Sequence, residues 1–279
     1  MNNQLGNNLQ KTNICFDVEL PQDFEWDTWL DREAEDVLSL TYSVWPTFLR
    51  TKPDIEITVP HQAYQYKRYN EERYFIWGIR EKKSGRLIAC INGICLYSEH
   101  NQNEFDQRGF RWALEATLED EQVNTFCLTS ATVANHCRSK GLAKALVNSA
   151  KQQTANLGFH SLLVPVRPTN KHQFPDLSMN EYLKPYKQNV HKDEGNAIED
   201  DLYDPWIMLH LRQGAQLLNI CKESMAITAS IKWWEQHLKC SLKGLNRLNI
   251  AQGLVPLEID QNRFLAIYTE PNVWMKYSI

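Results

Sequence analysis

Eleven glycines in 279 residues leave little room for the familiar nucleotide loops, and none of their patterns is present. Gly-x-x-x-x-Gly-Lys-Ser/Thr is missing, which excludes a P-loop. The three-glycine dinucleotide fingerprint is missing too, which excludes that phosphate turn. No Cys-x-x-Cys pair occurs among the seven cysteines at 15, 90, 95, 127, 137, 221 and 240, so zinc spacing is absent and no metal is expected. Their odd number and apolar settings point to buried free thiols in a reducing compartment. Cys137 abuts a cationic loop, where a lowered pKa would make a thiol reactive. No run of ~20 apolar residues is present, so no membrane span is expected. The polar start, Met1-Asn-Asn-Gln-Leu-Gly-Asn-Asn8, lacks the apolar stretch of a signal peptide, and the expected location is the cytoplasm. A net charge of -4 without a basic block gives no sign of nucleic-acid binding. No nucleophile-elbow sequence is present either.

What is present begins with a hydrophobic fraction of 43%, enough for a sizeable core. Thr125 to Val133 is β-branched and apolar and predicts a strand. Gly141 to about Leu157 predicts a helix, with Leu142, Ala145, Leu146, Ser149 and Ala150 on one face. Between them lies Arg138-Ser139-Lys140-Gly141-Leu142-Ala143. A small-residue loop turning into a helix aims several backbone N–H groups one way, and the helix dipole adds positive character, which makes a diphosphate cradle. Arg138, Lys140 and Lys144 add full charges there. Gly141 permits close approach of a ligand, and Ala143 keeps the first turn slim. An ordinary strand–loop–helix connection with incidental cations is the competing reading.

Arg/Gln-x-x-Gly-x-Gly/Ala after a strand and opening a helix resembles the pyrophosphate-binding motif of the GNAT acyltransferase superfamily. Arg138, Gly141 and Ala143 occupy its three defining positions. Three further stretches resemble one GNAT subgroup: Val164-Pro-Val-Arg-Pro-Thr-Asn-Lys-His172, Asp204-Pro-Trp-Ile-Met-Leu-His-Leu-Arg212 and Glu270-Pro-Asn-Val-Trp274. That subgroup includes freestanding bacterial proteins and is related to the GNAT-like loading domains of polyketide synthases.

The resemblance implies an α/β fold: a mixed central sheet flanked by helices, with a C-terminal strand pair as an extension. It implies acyl-CoA as cosubstrate, its diphosphate on residues 138–144, including Ser139 and Leu142. Backbone N–H groups of Ala131, Thr132 and Val133 would face the thioester oxygen, and Asn170 would bond the pantetheine amide. His210 is the candidate for proton transfer, since an unperturbed imidazole titrates near neutrality. Thr169 is its candidate partner for holding a carbonyl or carboxylate. A core-packed His210 and a turn-stabilising Thr169 are the structural alternatives. Arg167 and Arg212 suit either an acidic substrate or a buried carboxylate. Lys171 and His172 are expected in solvent, and Tyr182 and Tyr186 in helix packing. Trp206 and Trp274 are expected as walls of core or tunnel. The strand 125–133 lacks the Glu that serves many amine-acetylating members as base. That departure favours a thiol acceptor or base work by His210.

Three functions stay open: acyl transfer to a small-molecule amine or a carrier-protein phosphopantetheine thiol, malonyl-type decarboxylation, and a catalytically dead binding module. An acyl carrier protein is therefore a candidate partner.

Along the chain, residues 1–13 are expected as a frayed tail and 14–279 as one domain, with the coenzyme-binding core at about 73–170. A helix is expected over 23–40, where Trp26, Trp29, Leu30, Ala34, Val37 and Leu38 recur at helical spacing. A hairpin is expected over 73–97 and a short helix over 109–117. Residues 189–201 form an expected exposed insertion. Pro205 to Gly214 predicts a helix. Strand pieces at 217–221 and 225–228, a helix at 230–238 and a closing hairpin over 253–269 complete the chain.

Overall fold

The computed structural model describes residues 16–28, 30–31, 34–55, 73–99, 104–119, 122–188 and 203–279. The predicted tail and the 189–201 insertion lie outside the described residues. Strand β1 (Phe24–Asp27) precedes helices α1 (Glu35–Val44) and α2 (Thr47–Arg50). The hairpin β2 (Tyr74–Glu81) and β3 (Leu87–Leu96) leads to α3 (Gly109–Glu119), β4 (Thr125–Val133), α4 (Leu142–Asn156) and β5 (Ser161–Val166). Short helices α5 (Met179–Tyr182) and α6 (Lys184–Gln188) precede α7 (Pro205–Arg212). Then come β6 (Gln216–Ser230), α8 (Ile231–Leu238), β7 (Arg247–Leu248), β8 (Leu257–Asp260) and β9 (Leu265–Ser278).

These strands form one mixed sheet in the order β1-β2-β3-β4-β5-β9-β8-β7, with β6 along the free side of β9. The α/β architecture expected from the sequence is therefore present. The C-terminal strands extend the sheet beyond β5, with β9 itself seated next to β5. The last half of β9 pairs with β5, from Ser161↔Ser278 to Val166↔Val273, and its first half pairs with β8. The two strand pieces expected at 217–228 are one strand, β6, whose register against β9 slips between Leu217 and Ile220 and again between Cys221 and Met225.

Strand register assigns the two faces. Trp77, Ile91 and Ala131 stand opposite one another across β2, β3 and β4, so their side chains share a face. Trp77 donates its indole N–H to Ser149 of α4 at 2.8 Å, which puts α4 on that face. Gly78, Cys90 and Thr132 belong to the other face. There Trp45, at the end of α1, donates to the Thr132 hydroxyl at 3.0 Å. Helix α3 covers the same side, packing against Ile94, Cys127, Leu163 and Trp274. Leu142, Ala145, Leu146 and Ala150 of α4 are buried against the sheet, each larger side chain contributing roughly 1.5–3 kcal/mol.

The expected helix over 23–40 is a strand followed by a later helix. Phe24–Asp27 pairs with Gly78–Glu81, and α1 starts only at Glu35. Trp26 and Val37 both reach the core as their spacing suggested, but through two different elements.

Candidate active site

Strands β4 and β5 run parallel but bond only at Phe126↔Leu162 and Cys127↔Leu163. Beyond that point β5 follows β9, while β4 stays with β3, and the two splay apart. From Leu128 onward, the β5-facing edge of β4 has no strand partner. A register slip between Asn92 and Gly93 leaves Thr129 as an extra residue on β4. The splay opens a cavity of ≈ 1030 Å³ through the sheet. On the α4 face it is lined by Ala131, Val133, Val164, the 138–144 loop apart from Lys140, Trp206 and Leu209. On the α1/α3 face it is lined by Trp45, Arg50, Asn92, Phe110, Leu114, Ser130 and Asn272.

The loop before α4 has the form of an anion cradle. Ser139 (φ 63) and Gly141 (φ 79) are both left-handed, which turns successive N–H groups toward one concavity. A non-glycine residue in that region stores on the order of 1 kcal/mol of strain. No side chain caps α4, so the donors of its first turn are available to a ligand. Arg138, Ser139, Gly141, Leu142, Ala143 and Lys144 all line the cavity. Lys140 does not; its ammonium lies 5.6 Å from the Phe24 ring centroid. No ion pair of Arg138 or Lys144 occurs among the described residues.

The other expected site residues divide between cavity and core. Ala131 and Val133 line the cavity, whereas Thr132 is buried on the opposite face beneath Trp45. Thr169 lines it. Asn170 is occupied: its backbone N–H donates to Asp204 Oδ2 at 2.8 Å and its side-chain amide donates to the Tyr203 carbonyl at 2.8 Å. Asn170 is not among the residues that line the cavity.

His210 departs most from expectation. It is fully buried, with Nδ1 2.6 Å from Tyr277 Oη and its ring 4.2 Å from that of Trp206. Nε2 has no partner. Burial pushes its pKa down to about 3, so the ring is neutral at physiological pH. On α7 it is Trp206 and Leu209 that face the cavity. His210, one turn on from Trp206 and packed beneath its ring, is buried behind it and does not line the cavity. His210 and Thr169 are thus not brought together at the cavity, which corrects the sequence reading of a proton-transferring pair.

The three subgroup-like stretches have clear structural work. Asp204 is buried at the N-terminus of α7. It accepts from the N–H of Trp206 at 3.0 Å and Ile207 at 3.1 Å, from Asn170 N–H, and from the Tyr182 hydroxyl at 2.9 Å. This anchors the segment after β5 to the helix. Tyr186 accepts from the Asp204 backbone N–H. Burial pushes both tyrosine pKa values up, in keeping with packing roles. Glu270, also buried, takes a forked pair from Arg167 at 2.8 and 2.9 Å and a hydrogen bond from the Tyr268 hydroxyl at 2.5 Å. Of the two roles open for Arg167, the structure realises the pairing with a buried carboxylate. Arg212 is exposed at the end of α7. Lys171 was expected in solvent but is buried, donating to the carbonyls of Phe174 and Leu254 at 2.6 and 2.8 Å. Trp206 walls the cavity, while Trp274 is core and donates to the Asp106 carbonyl at 2.9 Å.

Four cavity residues escaped sequence reasoning. His172 lines it, partly buried, with Nδ1 2.8 Å from the Thr169 carbonyl. Nδ1–H must donate there, which leaves the Nε2 lone pair open. Arg50, Asn92 and Asn272 line the opposite face. Nothing in their local sequence marks them, because three separate elements bring them together.

Residues 36–174 match the model of the Acetyltransferase (GNAT) family. This is a GNAT-family domain. The GNAT chain is an acyltransferase accordingly. It is 28% identical over 262 residues to arginine N-acetyltransferase avaD of Aspergillus versicolor, covering 85% of this chain and 86% of that one. The loading GNATL domain of CurA from Lyngbya majuscula shares its fold at 12% identity and a TM-score of 0.53, covering 91% of this chain and 97% of that domain. Among the described residues, no cluster of potential metal ligands occurs and no helix is long and apolar enough to cross a membrane.

Proposed function

We propose that this GNAT chain transfers an acyl group from an acyl-CoA to the amine of a small molecule. The single observation that carries this is the cavity through the splayed sheet, with a cationic N–H cradle on one face and, on the other, Arg50, Asn92, Ser130 and Asn272 set among apolar side chains. A diphosphate fits the cradle: the first-turn donors of α4 are uncapped, and nothing lies within 4 Å of where a side chain at Gly141 would begin. Arg138 and Lys144 supply charge there. The amine attacks the thioester carbon from the other face. The carbonyl oxygen gains charge, which the unpartnered edge of β4 near Ala131–Val133 can meet with N–H donors. The thiolate then leaves, and the nitrogen gives up a proton. His172 is the cavity-lining group suited to receive it, with the Thr169 carbonyl fixing its tautomer. The curated relative that acetylates arginine nitrogen supports an amine rather than a thiol.

The test is mass spectrometry of the protein incubated with acetyl-, malonyl- and methylmalonyl-CoA, a panel of amines and a phosphopantetheinylated carrier protein. An N-acylated amine with stoichiometric free thiol supports the reading. Acyl groups appearing only on the carrier, or CO₂ release without amine product, would overturn it in favour of carrier loading or decarboxylation. Binding of coenzyme A without any of these would leave a binding module.

A further inference from the structure

We infer that the acceptor carries a carboxylate as well as its amine, and that Arg50 holds that carboxylate. The inference rests on the N-acyl transfer proposed above and names the acceptor's chemical class.

The charge balance of the cavity wall is one-sided. Four strong cations line it, Arg50, Arg138, Lys144 and Arg167, and no aspartate or glutamate does among the described residues. Three of the four have assignments. Arg138 and Lys144 stand at the cradle before α4. Arg167 is neutralised by the buried Glu270. Arg50 remains, on the opposite face, and no carboxylate lies within ion-pairing distance of it among the described residues.

Arg50 is also held ready. Its Nε donates to the Trp45 carbonyl at 3.1 Å and Nη2 donates to Thr47 Oγ1 at 3.1 Å. Its Cζ stands 4.9 Å from the Tyr42 ring centroid. These contacts orient the guanidinium, partly buried, and leave Nη1 uncommitted among the described residues. A planar, preoriented guanidinium with a free edge is the group that binds carboxylates most selectively.

A second observation on the same face points to the amine. Asn92 Oδ1 and Asn272 Oδ1 are buried acceptors without a donor among the described residues, and both residues line the cavity. Asn272 is 2% exposed. A buried amide oxygen left without a donor keeps its desolvation cost uncompensated. An ammonium or amine supplies the missing hydrogens. A cation for an acid group and two orphan acceptors for N–H, on one chamber wall, together describe an amino acid.

The experiment uses twin acceptors that differ only in the carboxylate: lysine and cadaverine, arginine and agmatine, phenylalanine and phenethylamine. Steady-state kcat/KM is measured with acetyl-CoA on wild type, Arg50→Met and Arg50→Lys. Wild type should favour the acid-bearing member of at least one pair by roughly 10–100-fold, the range of a hydrogen bond to a charged group. Arg50→Met should collapse that ratio toward one, and Arg50→Lys should restore part of it. Equal loss on both members of a pair would make Arg50 structural and overturn the inference, as would a wild-type preference for the decarboxylated twins. Melting temperatures of both variants identify any that fail to fold. Arg50→Lys keeps the charge, so an unfolded Arg50→Met leaves its acid-to-twin ratio as the deciding number: a ratio equal to wild type's overturns the inference and a reduced one supports it. No product from any amine would instead overturn N-acyl transfer itself, a result distinguishable from product formed without carboxylate preference.

Discussion

Replacing His210 with Asn should remove a pH dependence of stability while sparing turnover. In the folded protein the imidazole is closed off by Trp206 and Tyr277, and burial pushes its pKa down to about 3. In the unfolded chain it titrates near 6.5. The unfolded state therefore binds a proton that the folded state refuses once the pH falls below about 6.5. The group's full stability is present above that value and is lost progressively toward pH 3. Between pH 7 and pH 5 the two titrations differ by about 2 kcal/mol of folding free energy. For a chain of this size that corresponds to roughly 4–8 °C in Tm. Lys171, pushed down to about 8 by burial, stays charged throughout this window and adds no slope. Urea-unfolding midpoints from pH 5 to 7 measure the effect. Wild type should lose about 2 kcal/mol more than His210→Asn over that range. The variant itself should be less stable at pH 7 by ~1–3 kcal/mol, because it leaves a void beside Tyr277. Well below its melting temperature it should turn over within about threefold of wild type, since a proton-transferring role would be worth 10²–10⁴-fold. Parallel pH curves would refute the burial argument. A hundredfold loss of turnover with unchanged stability would return His210 to the chemistry.

Three further outcomes follow from the site. Gly141→Asp should weaken coenzyme A binding at least ~10-fold by calorimetry, by placing a negative side chain in the cradle; unchanged affinity in a folded variant would remove the diphosphate from this loop. His172→Gln should lower turnover by ~10²–10⁴-fold with coenzyme affinity retained; turnover within about threefold of wild type in a folded variant would exclude it as proton acceptor. Iodoacetamide on the native protein should label exposed Cys240 well before Cys90, Cys95, Cys127 and Cys221, whose thiols are buried and pushed up in pKa; peptide mapping that finds Cys127 labelled as fast as Cys240 would contradict the packing.

The proposed mechanism shows how little of the site's chemistry is local. Trp206 and His210 lie on one short helix, and the spacing of their residues does not say which side meets a ligand. That depends on α7 lying against Tyr277 of β9, a strand 67 residues further on than His210. Likewise His172 becomes a cavity residue because the segment after β5 is tied to Asp204 across 34 residues.

The sequence by itself determined the local elements whose signals are periodic and continuous. Strand β4 falls at Thr125–Val133 as its β-branched run requires. Helix α4 begins beside Gly141, and the β2–β3 hairpin turns at the predicted Lys-Ser-Gly. The uncapped strand-to-helix turn at 138–144 was legible too, because all its parts lie within seven consecutive residues. Only the tertiary structure decided the rest. Whether Trp26 served a helix or an edge strand turned on pairing with Ile79. Where β9 inserted determined how far β4 and β5 splay, and hence the cavity. Which cations were neutralised turned on partners far along the chain, as Arg167 found Glu270 while Arg50 met no carboxylate among the described residues. Local propensity is set by neighbours within a turn or two. A site whose walls come from α2, β3, β4, β5, α7 and β9 is set by long-range packing, which the order of residues encodes only through the whole fold.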